Sequence, residues 1–164
     1  MTSYIFELVK RLDLKIHSRP NKSSFLLEGM KDGDTLVFRT PSGKRFTTEL
    51  VQSRAALKKG LMYRDGLPSK TGMFFLFTDP PHRRGMWMNN MRFPLDIVWL
   101  DGALKIVSIR KDVQPCISAA ECPNISSIYK AQHAIELTAG DADALGLSLG
   151  DTLTFISSKA AGLL

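Results

Sequence analysis

Two cysteines in 164 residues are too few for a multi-bridge disulfide framework. No apolar run approaches the ~20 residues that a membrane helix requires, so no spanning segment is expected. The three histidines, His17, His82 and His133, stand far apart, and neither an H-x-x-x-H pair nor a Cys-His dyad is visible. A secretory leader is also missing from the first residues. Glu7, Lys10, Arg11 and Asp13 interrupt any apolar core such a leader would need, which points to a cytoplasmic protein. No phosphate-cradling loop, dinucleotide fingerprint, internal repeat or low-complexity linker occurs. Acidic residues are scarce as well: 16 Asp and Glu against 22 Lys and Arg give a formal charge of +6.

What is present suits one soluble, basic domain, because 44% hydrophobic and 23% charged residues are ordinary proportions for a packed core. The charge is uneven. Residues 1–111 hold 20 basic and 10 acidic residues, a balance of +10, while the rest holds 2 and 6, a balance of −4. Such asymmetry fits an acidic or polyanionic partner. The basic residues are scattered in pairs such as Lys58-Lys59 and Arg83-Arg84, without a run of five, so a solvated basic surface is favoured over nucleic-acid binding.

Along the chain, residues 1–34 read as an N-terminal extension of short helix and strand, including an edge strand at Phe25-Leu26-Leu27. From Thr35 the pattern is mainly β. Leu36-Val37-Phe38 and Phe46 to Leu50 flank the turn Pro41-Ser42-Gly43 as a hairpin. Ser53 caps a short helix to Lys59, with Gly60 as its left-handed terminator. Gly72 to Phe77 is apolar on both faces and reads as an interior strand. Leu95 to Leu100 turns at Asp101-Gly102 into Leu104 to Ile109, since Asp-Gly tolerates the positive φ of a tight turn. Residues 112–132 form a long loop, Ala134 to Leu137 a strand, Asp141 caps one helical turn, and Asp151 to Phe155 closes a domain spanning 35–156. A frayed tail, 157–164, follows.

Five segments occur in a familiar order: Gly60-Leu61-Met62-Tyr63-Arg64, Gly72-Met73-Phe74-Phe75-Leu76-Phe77, Trp87-Met88-Asn89-Asn90, Pro94-Leu95-Asp96 and Glu136-Leu137-Thr138-Ala139-Gly140. Together they resemble the domain of unknown function 192 family over about residues 35–156. The resemblance implies a mostly β (α+β), compact, barrel-like domain of antiparallel hairpins with short helices, and it supplies a fold without an established activity. The ending, Ala142 to Asp151, is similar to the closure of cradle-loop barrels, an analogy of fold alone. Two features depart from the family pattern. Many members begin with a secretion or lipoprotein signal where this chain has its charged extension, and Asn89 stands where a basic residue is common.

Tested for chemistry, the chain offers fragments. Gly146-Leu147-Ser148-Leu149-Gly150 matches G-x-S-x-G, but a nucleophile elbow needs a strand before the serine and a helix after it. Here the order is reversed and no histidine follows, so a turn is expected. Cys116 and Cys122 lie in the long loop; a reduced pair is the first expectation, a loop disulfide the second and a metal site with His133 the third. Arg64, Trp87, Asn90 and Asp96 combine a cation, an indole, an amide and a carboxylate, which suits either a small polar ligand or a polar staple with Arg64 clamping Asp96. Glu136 reads as a solvent-facing carboxylate in mid-strand.

The expectation is therefore a non-catalytic binding or protein-interaction module, with no metal, cofactor or catalytic residue assigned. One alternative is a structural accessory of a larger assembly, cellular or viral, docked by residues 1–34. Another is a small hydrolase or lyase using Asp96 with Arg64.

Overall fold

The computed structural model describes residues 29–116 and 118–159. β-Branched and aromatic runs broken by glycine and proline turns form nine strands there: β1 (Thr35–Arg39), β2 (Arg45–Val51), β3 (Thr71–Leu76), β4 (Gly85–Met86), β5 (Leu95–Leu100), β6 (Ile106–Val113), β7 (Ile125–Ser126), β8 (His133–Thr138) and β9 (Thr154–Lys159). Two short helices, α1 (Arg54–Lys59) and α2 (Asp141–Leu145), interrupt them. Seven strands make one sheet in the order β6-β5-β8-β3-β2-β1-β9, and β4 pairs with β7 separately. The mostly β architecture expected from the sequence is thus present.

The closed barrel is corrected. The sheet does not close: β6 and β9 are its edges, and the segments leading into them meet at the isolated bridge Lys105↔Thr152. Around that bridge, the Ile106 amide donates to the Asp151 carbonyl at 2.7 Å and the Gly150 amide to the Ile106 carbonyl at 2.9 Å. One interior pair, β2–β3, is parallel. A parallel neighbour needs a crossover rather than a hairpin, and α1 with the turns after it supplies the return path. Ser53 caps α1 by accepting from the Ala56 amide, as expected, and Gly60 ends it at a positive φ of +48 but with ψ −133, outside the left-handed helical region expected for it.

Because strand side chains alternate, the sheet has two buried faces. The first carries Leu36, Phe38, Leu50, Phe74, Val98, Ile135 and Leu137, covered by Ala142, Leu145, Leu147 and Leu153. The second carries Val51, Met73, Phe75, Leu95, Ile97, Trp99 and Ala134, covered by Leu61, Met88, Met91 and Ala131. Each fully buried large apolar side chain contributes roughly 1.5–3 kcal/mol, so both faces stabilise the fold substantially. β3 lies between β2 and β8 and is apolar on both faces, the interior position foreseen for it. There Gly72 admits no side chain, since a Cβ would sit 2.4 Å from the Glu136 carbonyl oxygen on β8.

Local details also differ from the expectations. At the β5–β6 turn the positive φ falls on Leu104 (+64), while the Asp101 carboxylate accepts from the Ala103 and Lys105 amides at 2.8 and 2.9 Å. The turn is organised by a side-chain acceptor, a role Asp fills well. Gly140, not Asp141, occupies the N-cap of α2. β9 continues through Lys159, beyond the expected boundary at 156, and pairs with β1. Met30 to Asp34 are tied to the domain by the Gly33 amide on the Leu50 carbonyl and by Gln52 on the Met30 carbonyl. The remainder of the extension, including the expected strand at 25–27, and residues 160–164 lie outside the described residues. Within the long loop, Cys116 and Cys122 form a disulfide, which corrects the expectation of a reduced pair.

Candidate functional site

Asp96 is fully buried on β5, and it faces the first core. One carboxylate oxygen accepts from the Asp112 amide at 2.9 Å; the other accepts from the Gly140 and Ala142 amides at 2.9 and 3.0 Å. It therefore supplies α2 with the capping acceptor that Gly140 lacks and clamps that helix to β6. Arg64 makes a two-pronged pair with Glu49 of β2 at 2.8 and 3.0 Å. Glu49 shares a cross-strand row with Met73, Glu136 and Ile97, which belongs to the second face. The pairing of Arg64 with Asp96 is therefore not formed: strand alternation puts Asp96 on one face of the sheet and the partner of Arg64 on the other.

Asn90 is exposed at φ +58, and its carbonyl accepts from the Tyr63 amide at 3.0 Å, bringing the 62–64 segment beside it. Trp87 is 44% exposed. Of the four residues grouped by sequence, Trp87 lines a cavity, while Arg64 and Asn90 sit on its flanking segments and Asp96 lies across the sheet.

That cavity holds about 150 Å³ between α1, the segment from Gly60 to Met62, and strands β3 and β8. Its walls include Leu57, Phe75, Phe77, Met86, Trp87 and Met91, and its floor is Glu136. Glu136 was expected to face solvent, yet it is only 4% exposed, and its Oε2 has no hydrogen-bond partner among the described residues. Burial alone pushes its carboxyl up to about 8, so it is mostly the neutral acid at pH 7. Gly60 leaves the way open: a Cβ there would lie 3.2 Å from Phe75 and 3.8 Å from the Glu136 Oε2. Lys58 and Lys59, exposed on the last turn of α1, mark the rim.

A second hollow of about 280 Å³ adjoins the first, sharing Gly85, Met86 and Trp87 and adding Cys122 and Asn124. The Cys116–Cys122 bridge forms part of this side of the molecule, and the Cys116 amide donates to the Met88 carbonyl at 3.3 Å. The 116–122 loop is thereby anchored next to Trp87.

Two further buried polar groups belong to the scaffold. Arg84 stacks 4.0 Å over Phe77 and donates to the Ala131 carbonyl at 3.0 Å and to Asp79 at 3.1 Å. His133, on the first face against Phe74, is lowered to about 4 by burial and secondarily by the Arg84 charge, and so is neutral at pH 7. Among the described residues no group of three His, Cys, Asp or Glu side chains is placed to hold a metal ion, and no helix is long and apolar enough to cross a membrane. Gly146 to Gly150 form the expected turn, in which the Ser148 amide donates to Asp151 at 2.9 Å.

The sequence signal for Glu136 was its company: Ala134 and Ile135 precede it and Leu137 follows, in a strand apolar on both sides. A carboxylate inside such a run belongs to an interior strand, where both faces are covered.

The DUF192 family model, described as uncharacterized ACR, matches residues 37–155. A proposed transcription regulator from Sinorhizobium meliloti 1021 is 31% identical, with a TM-score of 0.65 over 74% of this chain and 92% of that one. A protein of unknown function from Novosphingobium aromaticivorans DSM 12444 is 28% identical, with a TM-score of 0.63 over 78% of this chain and 88% of its own. Among curated proteins, none matches this chain.

Proposed function

The chain belongs to the DUF192 family, and we propose that it is a non-catalytic binding module that takes a small, mostly apolar ligand in the cavity between Trp87 and Glu136. The observation that carries this reading is the Glu136 carboxyl, buried on a residue that lines the cavity and unpartnered at Oε2 among the described residues. Leaving a buried polar group unsatisfied costs about 1–3 kcal/mol, a penalty that a ligand's hydrogen bonds would offset. The walls supply aromatic and thioether surfaces, which adapt to apolar shapes. A catalytic reading lacks, among the described residues, a second acid, base or nucleophile hydrogen-bonded to Glu136. The other titratable groups lining the cavity, Lys58 and Lys59, stand at its exposed rim.

Amide NMR spectra recorded while a library of small aromatic and branched aliphatic compounds is added test this reading. Binders should shift Gly60, Trp87 and Glu136 together, and Trp87→Ala should weaken them. Shifts confined to other surfaces, or none with any compound, would remove the reading.

The Sinorhizobium meliloti relative suggests a second reading, contact with DNA, which the net charge of +6 also supports. It predicts retention on duplex DNA that falls steeply with salt, through release of counterions from the phosphates.

A further inference from the structure

Resting on the cavity as a ligand site, we infer that its occupant is an uncharged molecule ending in a primary or cyclic amide, held by a two-bond pair with the Glu136 carboxyl group. The geometry of the floor carries this. Glu136 presents a carboxyl group with no cation paired to it among the described residues. Its cross-strand neighbours on either side, Met73 of β3 and Ile97 of β5, are apolar. On β2, Glu49 of the same row is already engaged by Arg64. At the far edge, Arg110 of β6 pairs across from Ile97 and is exposed. His133 of the same strand belongs to the other face, against Phe74, and α1 contributes only the rim lysines Lys58 and Lys59.

A neutral carboxyl group has one donor and one strong acceptor side by side. The complementary group has an acceptor and a donor at the same spacing, which a primary amide or a lactam provides: the acid O–H donates to the amide carbonyl, and the amide N–H donates to the acid carbonyl. An ammonium would fill only the acceptor, would lose its hydration against apolar walls, and would enter past two lysines. A carboxylate would fill only the donor and bring a charge beside a desolvated acid. The burial that holds the Glu136 proton to about pH 8 keeps the donor in place at neutral pH.

The body of the ligand is bounded by volume. A cavity near 150 Å³ with apolar walls is filled by a molecule of benzene's size. Benzamide is therefore the probe, with benzylamine, benzoate and benzyl alcohol as its matched comparisons.

The full chain is titrated with each probe by protein-observed NMR at pH 6.5 and pH 9.5. At pH 6.5 benzamide should bind about tenfold tighter than any of the other three, the equivalent of one well-made hydrogen bond. By pH 9.5 its affinity should fall about thirtyfold, because an ionised Glu136 has no O–H to donate and the pH lies about 1.5 units above its pKa. Glu136→Gln keeps a donor and an acceptor without a proton to lose, so benzamide should still bind and its pH profile should become flat. Trp87→Ala alters an exposed side chain and leaves the fold intact, so it serves if the first variant is unstable; benzamide should weaken while keeping the pH dependence.

Benzylamine binding tightest, with affinity rising toward pH 9, would overturn the amide assignment and leave the cavity as a site for cations. Benzoate binding tightest would overturn it in favour of anions recruited by the lysines. If no probe shifts Gly60, Trp87 or Glu136 at either pH, the amide assignment and the ligand-site reading fall together.

Discussion

Asp96 and Glu136 are buried carboxylates on adjacent strands, one residue out of register, and their surroundings are opposite. Asp96 faces the core beneath α2 and meets three backbone amides. Glu136 faces the other core and leaves an oxygen with no partner among the described residues. A buried carboxylate whose acceptor sites are filled by the backbone is part of the scaffold: it satisfies donors that the fold itself exposes. One that is left open at the base of a cavity costs the fold stability and contributes only when something arrives. The same residue chemistry thus has two roles, separated by strand alternation.

The comparison breaks most decisively at Asp96. Asp96→Ala strands the Asp112, Gly140 and Ala142 amides in the interior and should cost about 4 kcal/mol, taking each orphaned donor at about 1–2 kcal/mol. Urea unfolding of the two proteins reads this directly. A loss below about 1 kcal/mol would mean that the amides find water or new partners, and that Asp96 is no more structural than Glu136.

At Glu136 the contrast appears in the pH dependence of stability. Its carboxyl is raised to about 8 in the folded chain from an ordinary 4.5, so folding takes up a proton between those values and stability falls as pH rises through the window. His133 works in the opposite sense: lowered to about 4 from 6.5, it makes stability fall as pH drops below 6.5. The two slopes offset one another between pH 4.5 and 6.5, and above 6.5 only Glu136 acts. The protein should therefore lose about 1 kcal/mol between pH 6.5 and pH 8, with a melting temperature that declines accordingly. In Glu136→Gln this decline should vanish. A wild-type curve already flat over that interval would place a partner on Glu136 and end the contrast with Asp96.

Much of the scaffold was legible in the residues. Ser53 and the Pro41-Ser42-Gly43 turn act through local chemistry, and each does what its residue type predicts. The parallel β2–β3 pair was not legible, because periodicity reports which faces of a strand are covered and is silent on which strand lies alongside. For the site, the motif residues Trp87, Arg64 and Asn90 fall on or beside the cavity proposed as the ligand site, yet the expected clamp on Asp96 joined residues that the pleat sends to opposite faces. Which face each side chain takes depends on the register of four strands, Glu49 to Met73 to Glu136 to Ile97, and register is a tertiary fact. The same register turned Glu136 from an expected surface carboxylate into the floor of a cavity. Cys116 and Cys122 show the limit differently: spacing alone allowed three states, and the fold brings their Cα atoms within 5.2 Å as a disulfide.

Arg64 sharpens the comparison from the exposed side. Its pair with Glu49 is partly open to solvent, with about a third of each side chain exposed. Pairs in that setting are worth about 0.2–1 kcal/mol, so Arg64→Ala should lower stability by about 0.5 kcal/mol, near an eighth of the Asp96→Ala loss. Denaturant midpoints for the two variants, measured side by side, test the ratio. Equal losses would mean that Arg64 reaches a buried acid after all.

The smallest effect is expected at Trp87, and it is the most informative about function. With 44% of its surface already exposed, its truncation should change the unfolding midpoint by less than the equivalent of about 0.5 kcal/mol. An indole that stabilises the fold so little, set between two hollows and above an unpartnered carboxyl, is poorly explained by packing. The distinguishing measurement is therefore paired: the unfolding midpoint of Trp87→Ala and its response to ligand. A midpoint unchanged in the free protein, together with the loss of any ligand-induced rise in melting temperature, would assign Trp87 to recognition, because a ligand that binds only the folded state stabilises it in proportion to its occupancy. A substantial fall in the free protein would make Trp87 a roof for the second core, and the cavity beneath it a packing defect that Glu136 shares.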